Sequence, residues 1–371
     1  MNILQIRPSL PVGGATEYIV RLSQGLVERG HRVMVVSGGG AWDARIHDVA
    51  EQRTDFRLSP YLGPSRSTPN VVDLVPTSIR LARLVRRERI QLINSHHRYA
   101  ALIGRLVARL TGTRLVSTIH EIRNDQRRLT AAGMGERLIV LSQAVERHAI
   151  ERYGVDPGRI RVIPMGMEMP VELTAVQRRA LLDELGIGSE TPLIGCVARL
   201  RKRKGQRYLL EALASVTSTH PDVCLLLIGD GEDRAELEER TRQLGLSGHV
   251  KFLGARNDVS DLIALCQFTV LPSLQEEFGI VLLESLVHGR PVVASSVGGI
   301  PEIVTTGEHG LLVPPADSER LADAIKHLLG QPRVTAAMGE RGRRLVAERY
   351  SMAAFIEATE RVYADLLASH H

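Results

Sequence analysis

The chain has 371 residues, long enough for two domains with a core each. Hydrophobic residues are 44% and charged residues 24%, the balance of a soluble globular protein, and no run of about 18 apolar residues exists, so no membrane span is expected. The net charge is +5, but aromatics are only 4%, too few for the stacking that single-stranded nucleic acid needs; Cys196, Cys224 and Cys266 are odd in number and far apart, which argues against a disulfide framework or a zinc site.

Met1-Asn2-Ile3-Leu4 runs straight into a strand without a signal-peptide layout, so a cytoplasmic location is expected. Asn2–Ile6 reads as that strand, followed by the Pro/Gly-rich loop Arg7 to Gly14. A helix follows with Tyr18, Leu22, Gly25, Leu26 and Val27 at helical spacing, and Gly30-His31 stops it before a second strand, Arg32–Ser37. That is a β-α-β unit of a parallel sheet. Gly38 to Pro76 reads as loops. Thr77–Arg89 reads as a helix with Ile79, Ala82, Leu84 and Val85 on its apolar side. Strands are expected at Ile90–Asn94, Arg114–Thr118, Leu138–Leu141 and Ile160–Ile163, with helices at Ala100–Thr111 and from Leu141 through Tyr153.

Glu168 to Pro192 reads as a linker with one short helix, Ala175–Leu185. A second series then begins. Its strands are predicted at Leu193–Val197, Cys224–Ile228, Val250–Leu253, Phe268–Leu271 and Val292–Ala294, with helices Gln206–Thr219, Ala235–Leu244, Val259–Leu265 and Ile280–His288 between them. Alternation in both halves means α/β, with two doubly wound Rossmann-like domains, residues 1–170 and 171–351, facing a cleft. A last helix is predicted over residues 352–368.

Ser273 to Gly299 carries two carboxylates, Glu276 and Glu284, eight positions apart. Eight residues is a little over two helical turns, so both acids fall near one face. Two solvated helix acids are the ordinary alternative. The context favours a site: Leu271-Pro272-Ser273 ends a strand, Phe278-Gly279 turns, and Gly289-Arg290-Pro291 stops the helix. Glu276 thus sits beyond a strand's carboxyl end, where open α/β sheets bind ligands. Carboxylates accept bonds from hydroxyls, and free N–H groups at a helix mouth suit phosphate. A sugar nucleotide presents both.

Gly13-Gly14 after the first strand would let the backbone approach a pyrophosphate, although a flexible loop reads the same way; the spacing is not G-x-G-x-x-G, so no nicotinamide cofactor is indicated. Arg199 and Lys204 follow a strand within the run Arg-Leu-Arg-Lys-Arg-Lys, which by itself reads as a solvated basic loop; fixed cations there would stabilise a departing diphosphate. His120 follows the strand Arg114–Thr118, and a lone histidine is more often structural. His96-His97 lacks the companions of a metal site. From Ile79 to Arg137 thirteen arginines face four acids, a basic stretch that suits phosphates or anionic lipid, though nearly every base of the chain is arginine.

Glu276-x7-Glu284 with Phe278-Gly279, Gly289-x-Pro291 and Gly298-Gly299-Ile300-Pro301-Glu302 resembles the family-4 (group 1) retaining glycosyltransferases of the GT-B fold. The resemblance extends over nearly the whole chain, through Val197-Ala198-Arg199-Leu200 with Lys204-Gly205, Leu227-Ile228-Gly229-Asp230-Gly231, Val250-Lys251-Phe252-Leu253-Gly254 and Gly310-Leu311-Leu312-Val313-Pro314-Pro315. Two positions depart from it: Met165, where the family usually has Asn, and Glu277, where it often has Gly or Ser.

The resemblance implies transfer of a hexosyl group, with retention, from a nucleoside diphosphate sugar to an acceptor hydroxyl. Residues 171–351 would bind the donor, and the last helix would pack back on residues 1–170. Arg199, Lys204 and Gly14 would face the diphosphate, Glu276 the sugar hydroxyls and Glu284 the ribose. The backbone of Phe278, Gly279, Ile280 and Val281 would cradle sugar and phosphate, and His120 would meet the transferring sugar. Arg201, Lys202 and Arg203 match no role and read as surface. A UDP-sugar is slightly favoured, with GDP-mannose the alternative. A lipid-linked glycan, lipopolysaccharide or cell-surface polysaccharide is the expected acceptor; a cyclitol or sugar phosphate, or a non-catalytic sugar-nucleotide-binding partner, are the other readings. No Asp-x-Asp element stands in a suitable position, so neither an essential metal nor a cofactor is expected. The basic helix 77–89 could rest on an anionic membrane, which would make the protein peripheral on the inner membrane face.

Overall fold

The computed structural model describes residues 1–56, 58, 61–62, 68–69, 72–121, 130–131 and 133–369. Arg123, Asp125, Arg127 and Arg128 of the basic stretch lie outside the described residues. The chain forms two units: Met1–Gly166 together with Met352–His371, and Met167–Ser351.

The first unit holds a seven-stranded sheet in the order β3-β2-β1-β6-β7-β8-β9. Its strands are β1 (Asn2–Ile6), β2 (Arg32–Val36), β3 (Glu51–Arg53), β6 (Leu92–Ser95), β7 (Arg114–Ile119), β8 (Arg137–Val140) and β9 (Ile160–Val162), while β4 (Tyr61–Leu62) and β5 (Thr68–Pro69) form a separate antiparallel pair. All seven pair in parallel, from Asn2 opposite Arg32 to Leu138 opposite Ile160. Parallel neighbours require crossovers, and these place helices on both faces, which is why β1, β6 and β8 are buried runs. The stretch Gly38 to Pro76, expected to be loops, adds a short helix, Asp43–His47, and the edge strand β3. β3 reads Glu-Gln-Arg, and an edge strand with exposed polar residues carries no hydrophobic signal.

The second unit holds six parallel strands in the order β12-β11-β10-β13-β14-β15. They are β10 (Leu193–Val197), β11 (Cys224–Ile228), β12 (Val250–Gly254), β13 (Phe268–Leu271), β14 (Val292–Ser295) and β15 (Gly310–Val313). β11 reads Cys-Leu-Leu-Leu-Ile and is buried throughout, as a central strand covered on both faces must be. The helices Ser318–Gly330 and Pro332–Arg349 and the strand β15 complete the unit beyond the elements expected from sequence.

In each sheet the chain runs outward from a central strand in one direction, then returns to its other side. Such a point lies between β1 and β6 in the first unit and between β10 and β13 in the second. Loops leaving the two strands there part in opposite directions and open a crevice at the carboxyl ends.

The last helix, Met352–Ala368, belongs to the first unit. It seats against the helix Gly14–Glu28: a Cβ on Gly25 would stand 2.5 Å from Ile356 Cγ1. Tyr363 is fully buried, and its hydroxyl accepts from Asn94 Nδ2 at 2.7 Å; Asn94 Oδ1 in turn accepts from Thr118 at 3.0 Å. A polar chain thus ties this helix to β6 and β7. Tyr363→Phe leaves the buried Asn94 amide short of a partner and should cost about 1–3 kcal/mol in chemical denaturation; an unchanged midpoint would show that the bond contributes nothing net.

The helix expected at Thr77–Arg89 spans Leu74–Arg87. Its buried face is Thr77, Ser78, Leu81, Ala82, Leu84 and Val85. Ile79, expected on that face, is instead 42% exposed. Two small polar residues, Thr77 and Ser78, occupy buried positions; Ser78 Oγ satisfies itself on the Leu74 carbonyl at 2.7 Å.

Candidate active site

In the second unit the loops after β10 and β13 are laced together. The 3-10 turn Lys202–Lys204 follows β10, and the Arg203 carbonyl accepts from the backbone of Leu274 at 2.8 Å. Gly205, at φ +70°, lies against Pro272; a Cβ there would stand 2.0 Å from the Pro272 carbonyl oxygen. Lys204 Nζ therefore reaches Glu276 Oε2 at 2.5 Å, and Ser273 Oγ donates to the same oxygen at 3.1 Å. Glu276 is 9% exposed, not a solvated helix acid. Its backbone is fixed from behind: the Glu276 carbonyl accepts from Gly299 N at 3.3 Å, and a Cβ on Gly298 would stand 1.7 Å from that oxygen.

Gly279 caps the helix Ile280–Val287 at φ 88°, so the helix begins four residues after Glu276. Phe278 is buried, with its ring 6.5 Å from that of Tyr350. Ile280 and Val281, half-exposed, form the first helical turn, and Glu284 is half-exposed one turn later. Ser285 anchors the helix to the sheet by accepting from Thr269 Oγ1 at 2.7 Å and donating to the Arg290 carbonyl at 3.0 Å. Arg199 is exposed just beyond β10, and its carbonyl accepts from Gln206 Nε2 at 2.9 Å.

Arg203, expected at the surface, belongs to this scaffold. Besides its backbone role, its guanidinium approaches Glu277 at 3.4 Å, and Gln275 Nε2 donates to Glu277 Oε1 at 3.2 Å. Burial raises the Glu277 carboxyl above the usual range, Arg203 opposes that, and Glu276 adds to it. In the basic run Arg203 is indistinguishable from Arg201, which pairs with Glu232 at 3.2 Å; only the fold separates them.

In the first unit Gly14 is the exposed first residue of the helix Gly14–Glu28. His120 follows β7 in a cleft also lined by Arg7, Ala15, His97 and Glu121. Its Nε2 lies 3.0 Å from His96 Nδ1, and His96 Nε2 lies 2.7 Å from Gln5 Oε1. The Tyr18 ring meets His120 edge-on at 4.8 Å. His97 has another duty: it caps the helix Arg98–Thr111, accepting from Tyr99 N at 3.2 Å. The sequence reading did not single out Gln5 or Tyr18. A glutamine among the apolar residues Ile3, Leu4 and Ile6 was the signal available in the sequence, and the structure buries it fully.

The residues expected to act together thus fall in two groups. Lys204, Glu276 and the helix Ile280–Val287 converge at the switch point of the second sheet, and His120 lies at the carboxyl edge of the first. Residues 177–345 match the family described as glycosyl transferases group 1, and residues 12–169 match glycosyltransferase family 4. A D-inositol 3-phosphate glycosyltransferase of Acidothermus cellulolyticus is 30% identical over 96% of this chain and 86% of its own length. The chain is a group 1 glycosyltransferase. This glycosyltransferase is also 28% identical to the lipopolysaccharide core biosynthesis glycosyltransferase LpsE of Rhizobium meliloti, over 96% of each chain. The structure of Anabaena HepE in complex with UDP-glucose superposes with a TM-score of 0.86 at 25% identity, covering 100% of both chains. The fold is GT-B, as the motifs implied.

Burial pushes His96 down to about 3, with Arg7 adding to the effect. His120 is likewise held well below the usual histidine range, by burial first and then by His96, Arg7 and His97. Both rings are neutral when folded and titrate near 6.5 when unfolded. Below about pH 6.5 the unfolded chain binds protons that the folded chain refuses. Stability should therefore fall on acidification, by up to about 1.4 kcal/mol per pH unit for each ring. Denaturation at pH 7 and pH 5 should show a larger loss for the parent protein than for His96→Gln; equal losses would contradict the neutral assignment.

Proposed function

We propose that this glycosyltransferase is a retaining hexosyltransferase that takes its sugar from a UDP-sugar and places it on a hydroxyl of a lipid-linked or cell-surface glycan. The observation that carries the reading is the Lys204–Glu276 pair at the switch point, 2.5 Å apart. One partner suits phosphate and the other suits sugar hydroxyls, beside a helix mouth whose N–H groups suit phosphate again. HepE, crystallised with UDP-glucose, supports a uridine donor.

In this reading Glu284 accepts from the ribose hydroxyls and Glu276 from the sugar hydroxyls. The Phe278–Val281 backbone cradles sugar and phosphate. Arg199, Lys204 and Gly14 face the diphosphate, and His120 meets the transferring sugar. The bond from the anomeric carbon to the β-phosphate oxygen breaks, and the acceptor oxygen bonds to that carbon on the same face. The acceptor's proton passes to the departing diphosphate. Charge gathers on that leaving group, so cations already in place lower the barrier without reorganisation. No essential metal takes part.

A panel of nucleoside diphosphate sugars read by thermal shift should single out UDP-sugars. Lys204→Met should keep the fold and lower kcat by about 10²–10³, the scale of losing one preorganised charge-stabilising contact. Glu284→Gln should instead raise the donor KM about tenfold, roughly 1.4 kcal/mol. The same assay should be insensitive to chelator and should give a product of unchanged anomeric configuration by NMR. An inverted product, or a chelator-sensitive rate, would end this reading; donor binding without transfer or hydrolysis would favour a non-catalytic partner.

The acceptor proposal draws on the helix Leu74–Arg87. Val72, Val75 and Ile79 are 66%, 57% and 42% exposed and lie near exposed Arg80, Arg83, Arg86 and Arg87. Apolar side chains flanked by arginines suit an anionic bilayer surface. No helix among the described residues is long and apolar enough to cross a membrane. The protein should float with anionic liposomes at low salt, and Val75→Asp with Ile79→Asp should abolish flotation without changing the melting temperature. Failure of the parent protein to float would favour the second reading, a small soluble acceptor, which the resemblance to a D-inositol 3-phosphate glycosyltransferase supports.

A further inference from the structure

We propose that Ser23, Gln5 and His96 form a polarised hydrogen-bond relay that holds His120 in its Nε2–H form and leaves its Nδ1 as an acceptor for a hydroxyl of the transferring sugar. The role of His120 rests on the reading above; the relay rests on geometry. Gln5 Nε2 donates to Ser23 Oγ at 2.7 Å, which turns the amide oxygen toward His96 Nε2, also at 2.7 Å. An amide oxygen only accepts, so His96 Nε2 carries the proton. A neutral His96 then has a lone pair on Nδ1, 3.0 Å from His120 Nε2, which must donate. Burial keeps both rings neutral, so the second nitrogen of His120 bears no proton.

The surroundings lock the ring in place. Gln5, Ser23 and His96 are at most 3% exposed, and the Tyr18 ring packs on both imidazoles, backed by Phe355 of the last helix. Arg7 and His97 face His120 electrostatically, and neither favours a proton there. Glu121, next in the chain, is exposed. A ring in this state can accept from a hydroxyl and cannot donate to a phosphate or carbonyl oxygen. Gln5 and His96 are positioning residues: they set which atom His120 offers.

Nitrogen-15 NMR of histidine-labelled protein at pH 7, with His120 assigned through His120→Gln, reads the tautomer directly. Protonated Nε2 with bare Nδ1 is expected; protonated Nδ1, or an imidazolium, would overturn the relay. Gln5→Glu places a carboxylate against His96 Nε2 and favours His96 as a cation, whose Nδ1–H would force His120 Nε2 to accept. Turnover should fall about tenfold at pH 6 with little change in donor KM, and recover as the pH rises and His96 loses that proton. A pH profile parallel to the parent's would count against the relay. His96→Asn, whose amide oxygen can still accept from His120, should retain more activity than His96→Leu; equal loss would reduce His96 to packing. Full transfer by His120→Gln would remove the sugar contact while leaving the measured tautomer intact, so the two failures are distinguishable.

Discussion

Parallel pairing is the constraint on which the rest depends. Strands that run the same way cannot be joined by a tight turn, so each connection crosses a face of the sheet. Here the chain starts at a central strand, fills one side and then comes back to the other. β10 and β13 are neighbours for that reason, although about seventy residues of sequence separate them. Their loops part at the carboxyl end, and Lys204 and Glu276 stand on those two loops. The same constraint in the first unit sets β1 beside β6 and β7 and gathers Gln5, His96 and His120.

The two sites solve different electrostatic problems. In the second unit charge is kept and paired: Lys204 with Glu276, Arg203 with Glu277. Burial still raises the Glu277 carboxyl above the usual range, and Arg203 opposes that rise. In the first unit charge is avoided. Two histidines in contact beside Arg7 cannot both be cations, and burial makes both neutral. Under the proposed function, one site meets a pyrophosphate and the other a hydroxyl.

Backbone fit supports both. Gly298 and Gly205 let two loops lie against the Glu276 and Pro272 carbonyls, where a methyl group would overlap oxygen. Gly25 lets the last helix lie against the first, so that Tyr363 and Phe355 reach the polar and aromatic groups beneath His120. Chain ends far apart in sequence thereby build one core, and a change in the last helix can reach the histidines.

Much of this was legible in the sequence. Apolar runs and their punctuation located β10, β11, β13 and the last helix with their observed bounds, because buried strands and amphipathic helices have strong periodic signals. The ordered motifs identified the family, and the alternation of strands and helices identified the doubly wound class. The edge strand β3 was not legible, because its residues are polar and its partner lies elsewhere in the chain. Nor was the exposure of Ile79, which depends on what the helix packs against. Sequence alone determined which residue types were present near each strand end. Only tertiary structure decided that Arg203 would brace Glu277 while Arg201 would not, and that Gln5, His96 and His120 would share one line of hydrogen bonds. The physical reason is that pairing across a parallel sheet joins residues dozens of positions apart, and no local pattern records that adjacency.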